Sequence, residues 1–186
     1  YVHIDRRSSL LRKRIEHFTM KRARLFILPN PIAVYWGHTS QVRAELMLMK
    51  TATSNGPYAY YHLLSGCDLP IKPQQAIYDF FEKNEGREFI GFWNEAKHRH
   101  DAWKKVRYFY FFNRWKKRSS SMLLHFLTTP LRNLLLGIQK IAGVDRTRGY
   151  TSEIKKGFQW FSITEDCCQY VLKREREIWK IFRYTL

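Results

Sequence analysis

Residues 60–72 read YYHLLSGCDLPIK, an apolar, aromatic run that breaks into a small polar loop and then into proline. Aromatic and apolar residues in a short run fit a pleated, half-buried strand. Residues 58–64 are therefore expected to form a strand and residues 65–70 a loop. Pro73 suits the first turn of a helix reaching about Asn84. Gly66 allows close backbone approach or a positive φ. Asp68 offers a carboxylate, and Pro70 stiffens the chain beside it. In parallel α/β sheets, ligands bind beyond the carboxyl ends of strands, where such a loop with Ser65 at its head would lie. The same loop also reads as a plain strand-to-helix connection.

The alternation extends in both directions. Upstream, YVHI at 1–4 and LFIL at 25–28 are short β-like runs, the second ended by Pro29 and Pro31. Between them Leu10, Leu11, Ile15 and Phe18 follow a helical spacing. Thr39 or Ser40 can cap a helix running to about Thr53, with Val42, Leu46 and Met49 on one face. The SNGP turn at 54–57 leads into the strand at 58–64, and EFIGF at 88–92 supplies the next strand. Strands and helices in that order predict an α/β layered sheet, largely parallel, with helices on both faces.

The second half differs in composition. Residues 97–118 carry nine Lys/Arg and one acid, Asp101, interleaved with aromatics such as Trp103, Tyr108 and Trp115. Residues 122–144 are leucine-rich, interrupted by Pro130 and Gly137. A polar loop is expected at 145–156 and a strand at 158–163. Thr164 then caps a helix whose first turn holds Glu165 and Asp166, the favourable charge sign there. The 186 residues form one domain by size, with 97–148 as a basic, aromatic and leucine-rich insert within it.

A hydrophobic content of 45% excludes a disordered chain, and a net charge of +17 calls for an anionic partner. Three cysteines without CxxC or Cys/His spacing argue against a disulfide framework or zinc site and suit a reducing compartment. The run His98-Arg99-His100-Asp101 has too few carboxylates for a metal site. No apolar run approaches the roughly 20 residues of a membrane span. The chain opens at Tyr1 directly in a β-like run and stops at Leu186 after a helical pattern, so it reads as a fragment incomplete at both ends.

Three segments have the form of a ligand site. Asp5 follows the first strand and could accept hydrogen bonds from a sugar or base, or could cap the next helix or pair with Arg6. The loop holding Ser65, Gly66 and Asp68 is the second. The third is Lys155-Lys156-Gly157-Phe158-Gln159-Trp160, where Trp160 could stack on a sugar ring while the Gln159 amide reads hydroxyls, or could fill the core.

YVHIDRRS, WGHTSQVRAELMLMK, YYHLLSGCDLPIK, EFIGF and KKGFQWFSIT occur in that order. Together they resemble the core 2 and I-branching β-1,6-N-acetylglucosaminyltransferases and peptide O-xylosyltransferases, glycosyltransferase family 14, and its bacterial members above all. The resemblance implies a GT-A-like, Rossmann-related fold. It also implies inverting transfer of N-acetylglucosamine or xylose from a UDP-sugar to an acceptor hydroxyl of a glycan, glycolipid or glycoprotein. By the same resemblance Asp5, Trp36, Gly37, Ser65, Gly66 and Asp68 bind the nucleotide and donor. Lys104, Arg107, Gln159 and Trp160 lie on the acceptor side. No Asp-x-Asp triplet occurs, and the family's branching members use basic side chains in place of a metal, so neither metal nor other cofactor is expected. The general base is expected beyond Leu186, in an acidic motif that follows a segment like Phe182-Arg183-Tyr184-Thr185.

Two readings from other classes stand beside this one. The stretch 97–118 could bind nucleic acid through phosphates and stacked bases, but no nucleic-acid motif accompanies it. The same cations followed by the apolar 122–144 segment suit a helix lying on an anionic lipid surface, or a leucine face packed on the sheet. The expected location is cytoplasmic, peripheral at the inner face of a bacterial membrane, or Golgi membrane in a eukaryote.

Overall fold

The computed structural model describes residues 1–18, 24–93, 95–112, 122–148 and 154–185. The end of the basic stretch, 113–118, and part of the expected polar loop, 149–153, lie outside the described residues. The elements in chain order are α1 (Ser9–Glu16), α2 (Ser40–Thr53), β1 (Tyr60–His62), α3 (Gln74–Lys83), β2 (Phe89–Phe92), α4 (Glu95–Arg107), α5 (Met122–Ile141), β3 (Gly157–Thr164), α6 (Glu165–Lys173) and α7 (Glu175–Phe182).

The sheet corrects one expectation. Its strand order is β1-β3-β2, and β3 pairs antiparallel with both neighbours. The strand–helix–strand unit β1-α3-β2 does leave β1 and β2 running the same way. They do not pair with each other, because β3 arrives from the far end of the chain and takes the place between them. A largely parallel sheet was the wrong inference from a correct alternation, since alternation fixes strand direction but not adjacency. The parallel pairing that does occur joins the first two β-like runs by a single bridge, Val2 to Ile27. Two backbone hydrogen bonds hold it, Val2 N–H to the Phe26 carbonyl at 2.7 Å and Leu28 N–H to the Val2 carbonyl at 3.0 Å.

Register places Tyr60, His62, Phe89, Ser162 and Thr164 on one face of the sheet and Tyr61, Ile163, Ile90 and Phe161 on the other. The first face is covered by α3, whose Phe81 ring lies 4.7 Å from Tyr60 and 4.5 Å from His62. The second is covered by α2 and α6. Here Leu46, Met49, Ala52, Tyr61, Ile163 and Cys168 form the buried cluster, with Ile178 and Trp179 of α7 packed against it. The expected α2 face is therefore the core face, because an apolar stripe at helical spacing has nowhere else to escape water. β1 and β2 are shorter than the expected strands, whereas β3 runs one residue further at each end. Tyr58, Leu64 and Trp93 stay exposed.

Thr164 caps α6 as expected, its Oγ1 accepting the Cys167 N–H at 3.3 Å. Thr39 occupies the cap position of α2 without a side-chain bond. Ser40 works backwards instead, its Oγ accepting the Tyr35 N–H at 2.9 Å. Pro130 does not interrupt α5, which runs unbroken through it. A missing N–H removes one backbone bond, and the leucine-rich sequence on both sides carries the helix across. Gln139 of α5 is buried and bonds both backbone groups of Phe109, at 2.8 Å to N and 3.0 Å to O. Leu127, Leu131, Leu134, Ile138 and Ile141 of the same helix remain exposed. The leucine stripe is thus turned to solvent rather than to the sheet. No helix among the described residues is long and apolar enough to cross a membrane.

Candidate functional site

Asp5 stands at the end of the first β-like run. One carboxylate oxygen, Oδ1, accepts the Arg7 backbone N–H and its Nε at 2.8 Å each, while Oδ2 accepts the Arg7 Nη2 at 2.6 Å and the Val34 N–H at 2.9 Å. The Arg7 guanidinium beside it holds the Asp5 carboxyl well below the usual carboxylate range, and the two backbone N–H groups add to this while burial opposes it. Arg7 is in turn fixed by the Val34 carbonyl at 2.6 Å and lies 4.6 Å above the Tyr35 ring. Pairing with Arg6 is one of the alternatives the sequence offers for Asp5. The partner is Arg7, two residues on, because a tight turn at 6–7 brings that side chain back over the carboxylate.

Val34 leads into the turn before α2. Trp36 is 78% exposed there, and Gly37 has φ 63° with its N–H bound to Gln41 Oε1 at 2.7 Å. Only glycine adopts that backbone at little cost. Beside this turn lies a cleft of about 940 Å³ between α2 and α7. Four cations line it, Arg6, Arg43, Lys50 and Arg183, against one carboxylate, Glu175. Lys50 and Glu175 pair at 2.5 Å, and Tyr35 and Trp179 add aromatic walls. The sequence showed no sign of Arg43 and Arg183 lining one cleft, since 140 positions separate them.

A second cluster forms at the loop after β1. Asp68 Oδ2 accepts the Ser65 N–H at 2.7 Å and the Trp160 indole N–H at 2.6 Å. The Ser65 backbone bond first, and the Trp160 bond next, hold the Asp68 carboxyl below its ordinary value. Gly66 sits in this turn without a positive φ, and a Cβ there would meet open space. The positive φ that glycine would permit there is therefore not used. Gln159 is exposed beside Trp160.

Lys104 and Arg107 lie on α4, in the last turn. Lys104 is exposed. The Arg107 guanidinium faces Asp145 at 3.3 Å and stacks 4.1 Å above Trp103, so it serves this corner of the fold. The structure thus gathers Asp5 with the turn holding Trp36 and Gly37, and Ser65 and Asp68 with Trp160. It sets Lys104 and Arg107 apart on α4. One further carboxylate is perturbed. Burial alone pushes Glu45 of α2 up to about 7, although its helix neighbours Arg43, Leu46 and Met47, and not Glu45, line the cleft. The side chain of His98 lies outside the described residues, and no group of three His, Cys, Asp or Glu with metal-binding geometry occurs among those described.

Helices on both faces of a small antiparallel sheet, with a cationic cleft at one side, define a protein of mixed α and β structure. The family model described as Core-2/I-Branching enzyme matches residues 1–186, and the chain belongs to that family. Xylosyltransferase 2 of Rattus norvegicus is 23% identical over 193 residues, covering 100% of this chain and 20% of the relative. Xylosyltransferase 1 of Canis lupus familiaris is 24% identical over 92 residues, 48% of this chain and 10% of the relative. Xylosyltransferase oxt of Drosophila melanogaster is 26% identical over 91 residues, again 48% and 10%. The chain therefore spans about one fifth of the length of the relative it matches end to end.

Proposed function

We propose that this chain forms the donor-binding part of an inverting glycosyltransferase that moves N-acetylglucosamine or xylose from a UDP-sugar to a hydroxyl of a glycan, glycolipid or glycoprotein. The observation that carries the reading is the Asp5–Arg7–Val34 lock. It orders the strand end and the Val34 turn around a carboxylate whose acceptor positions are taken by Arg7 and Val34, beside a cationic cleft with aromatic walls. A nucleotide needs an ordered backbone edge and a flat wall for its base and positive charge for its phosphates. Arg6, Arg43 and Arg183 could meet the diphosphate charge without a metal. Asp5, Asp68 and Glu165 are poor general bases, because hydrogen bonds to Arg7, to Ser65 and Trp160, and to Tyr61 hold their carboxyls below the ordinary range. The proton of the acceptor hydroxyl is therefore assigned to a group other than these three.

Calorimetric titration tests this reading. UDP, UDP-xylose and UDP-N-acetylglucosamine are expected to bind, unchanged by a chelator, while ADP and GDP bind more weakly. Asp5→Ala is expected to weaken UDP by about tenfold or more, because losing the carboxylate unlocks Arg7 and the Val34 turn beside the cleft. Equal binding of all three nucleotides, or full UDP affinity in Asp5→Ala, would overturn it.

The exposed α5 stripe favours a second property beside transfer, attachment to an anionic membrane. Five apolar side chains at 127, 131, 134, 138 and 141 share one helix face, and the chain's +17 charge complements acidic lipid. Vesicles of phosphatidylglycerol are expected to pellet the protein at low salt, and Leu134→Glu is expected to release it. Self-association through this face in place of pelleting would exclude the membrane.

A further inference from the structure

Trp160 is 52% exposed, yet its indole is not free to turn. Its N–H is held at 2.6 Å by Asp68, a residue 92 positions earlier in the chain. The backbone explains how they meet. β1 pairs with β3 through Tyr60–Thr164, Tyr61–Ile163 and His62–Ser162, and the Leu63 N–H continues the ladder to the Phe161 carbonyl at 3.0 Å. The next step along delivers the 65–68 turn to Trp160. The turn is closed by two bonds, Asp68 N–H to the Ser65 carbonyl at 3.1 Å and Ser65 N–H to Asp68 Oδ2 at 2.7 Å. The carboxylate that receives the indole is therefore itself oriented by the turn that carries it.

A tryptophan on an exposed strand has two free side-chain torsions, and ordering them on binding costs affinity. One hydrogen bond at the indole nitrogen sets both, and an ionised acceptor makes that bond a strong one. The half-exposed ring then offers an apolar face held at a fixed angle. Such a flat apolar face matches a pyranose, which carries C–H bonds on one side.

We propose that Asp68 is a positioning residue, which fixes the Trp160 indole as a platform for the pyranose ring of the acceptor. This rests on the glycosyltransferase reading above and moves Asp68 from the donor side, where sequence resemblance put it, to the acceptor side. The loop at 65–70 is then the support of the platform, and its specificity lies in holding the ring at one angle.

The test uses the full chain and methyl β-D-galactopyranoside and methyl β-D-xylopyranoside as probes. The readout is the indole N–H resonances of the six tryptophans, with that of Trp160 assigned by its loss in Trp160→Phe. In the unaltered protein the Trp160 signal is expected to shift saturably with at least one pyranoside. Asp68→Ala is expected to weaken that binding about fivefold by freeing the ring. Asp68→Asn keeps an acceptor oxygen and is expected to restore most of it. Trp160→Phe keeps a ring but no N–H, and adding Asp68→Ala to it is expected to weaken pyranoside binding, followed by calorimetry, no further, the signature of residues acting as a pair. Three results would overturn the proposal. They are no pyranoside response at Trp160, undiminished affinity in Asp68→Ala, or additive losses in the double variant. UDP titration of the same unaltered protein separates the two readings. Binding of UDP without pyranoside would remove the platform and leave the donor site standing, whereas pyranoside binding without UDP would do the reverse.

Discussion

Arg146→Ala is expected to lower the unfolding free energy by about 3 kcal/mol, measured as the shift of the urea midpoint at constant slope. The Arg146 guanidinium reaches four separate backbone carbonyls. Its Nη2 donates to the Ile181 carbonyl at 2.6 Å and the Lys180 carbonyl at 3.3 Å, and its Nη1 to the Tyr108 carbonyl at 3.2 Å. A weaker contact reaches the Val106 carbonyl at 3.5 Å, and the Phe109 ring lies 4.4 Å beneath the guanidinium. These carbonyls belong to the last turns of α4 and α7 and to the residues just after α4. Helix ends leave their final carbonyls without partners and carry partial negative charge. One planar cation answers both ends at once. Alanine would strand four acceptors in a partly buried corner, and lysine, a point charge with no fork, is expected to recover less than half of the loss. A midpoint unchanged in Arg146→Ala would mean that the two helix ends find water as readily as they find the guanidinium.

Glu45→Gln is expected to stabilise the protein at pH 8 by about 2 kcal/mol and to leave it unchanged at pH 4, read from thermal or urea unfolding across the range. Burial raises the folded carboxyl from 4.5 to about 7. A raised folded value means that the folded state holds the proton more tightly than the unfolded one. Between about 4.5 and 7 the folded chain therefore binds more protons, and stability falls as pH rises through that window. Above it the whole penalty of an ionised, half-buried carboxylate is present, discounted here because part of the side chain still meets water. Glutamine has the same shape and no charge to bury, so the slope through that window should flatten. A variant whose pH profile overlays the original would show that Glu45 turns outward when it ionises.

The sequence made some parts of this molecule legible and hid others for definite reasons. The helices at 40–53, 74–83 and 165–173 were readable because their apolar spacing, and at Thr164 the cap, are local. The direction of β1 and β2 was readable too. The seat of β3 between them was not, since no residue of β1 or β2 states which strand will supply its missing hydrogen bonds. Of the candidate site, Asp5 and the Trp36-Gly37 turn could be singled out through the resemblance. The bond from Arg7 to Asp5 was within reach of the sequence, only two residues away, yet charge alone did not choose between Arg6 and Arg7. The meeting of Asp68 with Trp160 and the double engagement of Arg146 depend on the sheet and on helix ends far apart in sequence. No spacing rule encodes them.

The placement of β3 has a consequence for how the chain is made. Strand β2 is finished by residue 92, but the strand that both β1 and β2 bond to begins only at residue 157. While a ribosome adds the intervening stretch, both edges stay open and Leu46, Met49 and Tyr61 have no Ile163 to close over them. Closing so long a loop is slow, and exposed strand edges invite neighbours. Until β3 is synthesised, the nascent chain holds a sheet without a centre, and a chaperone has the most to protect in that interval.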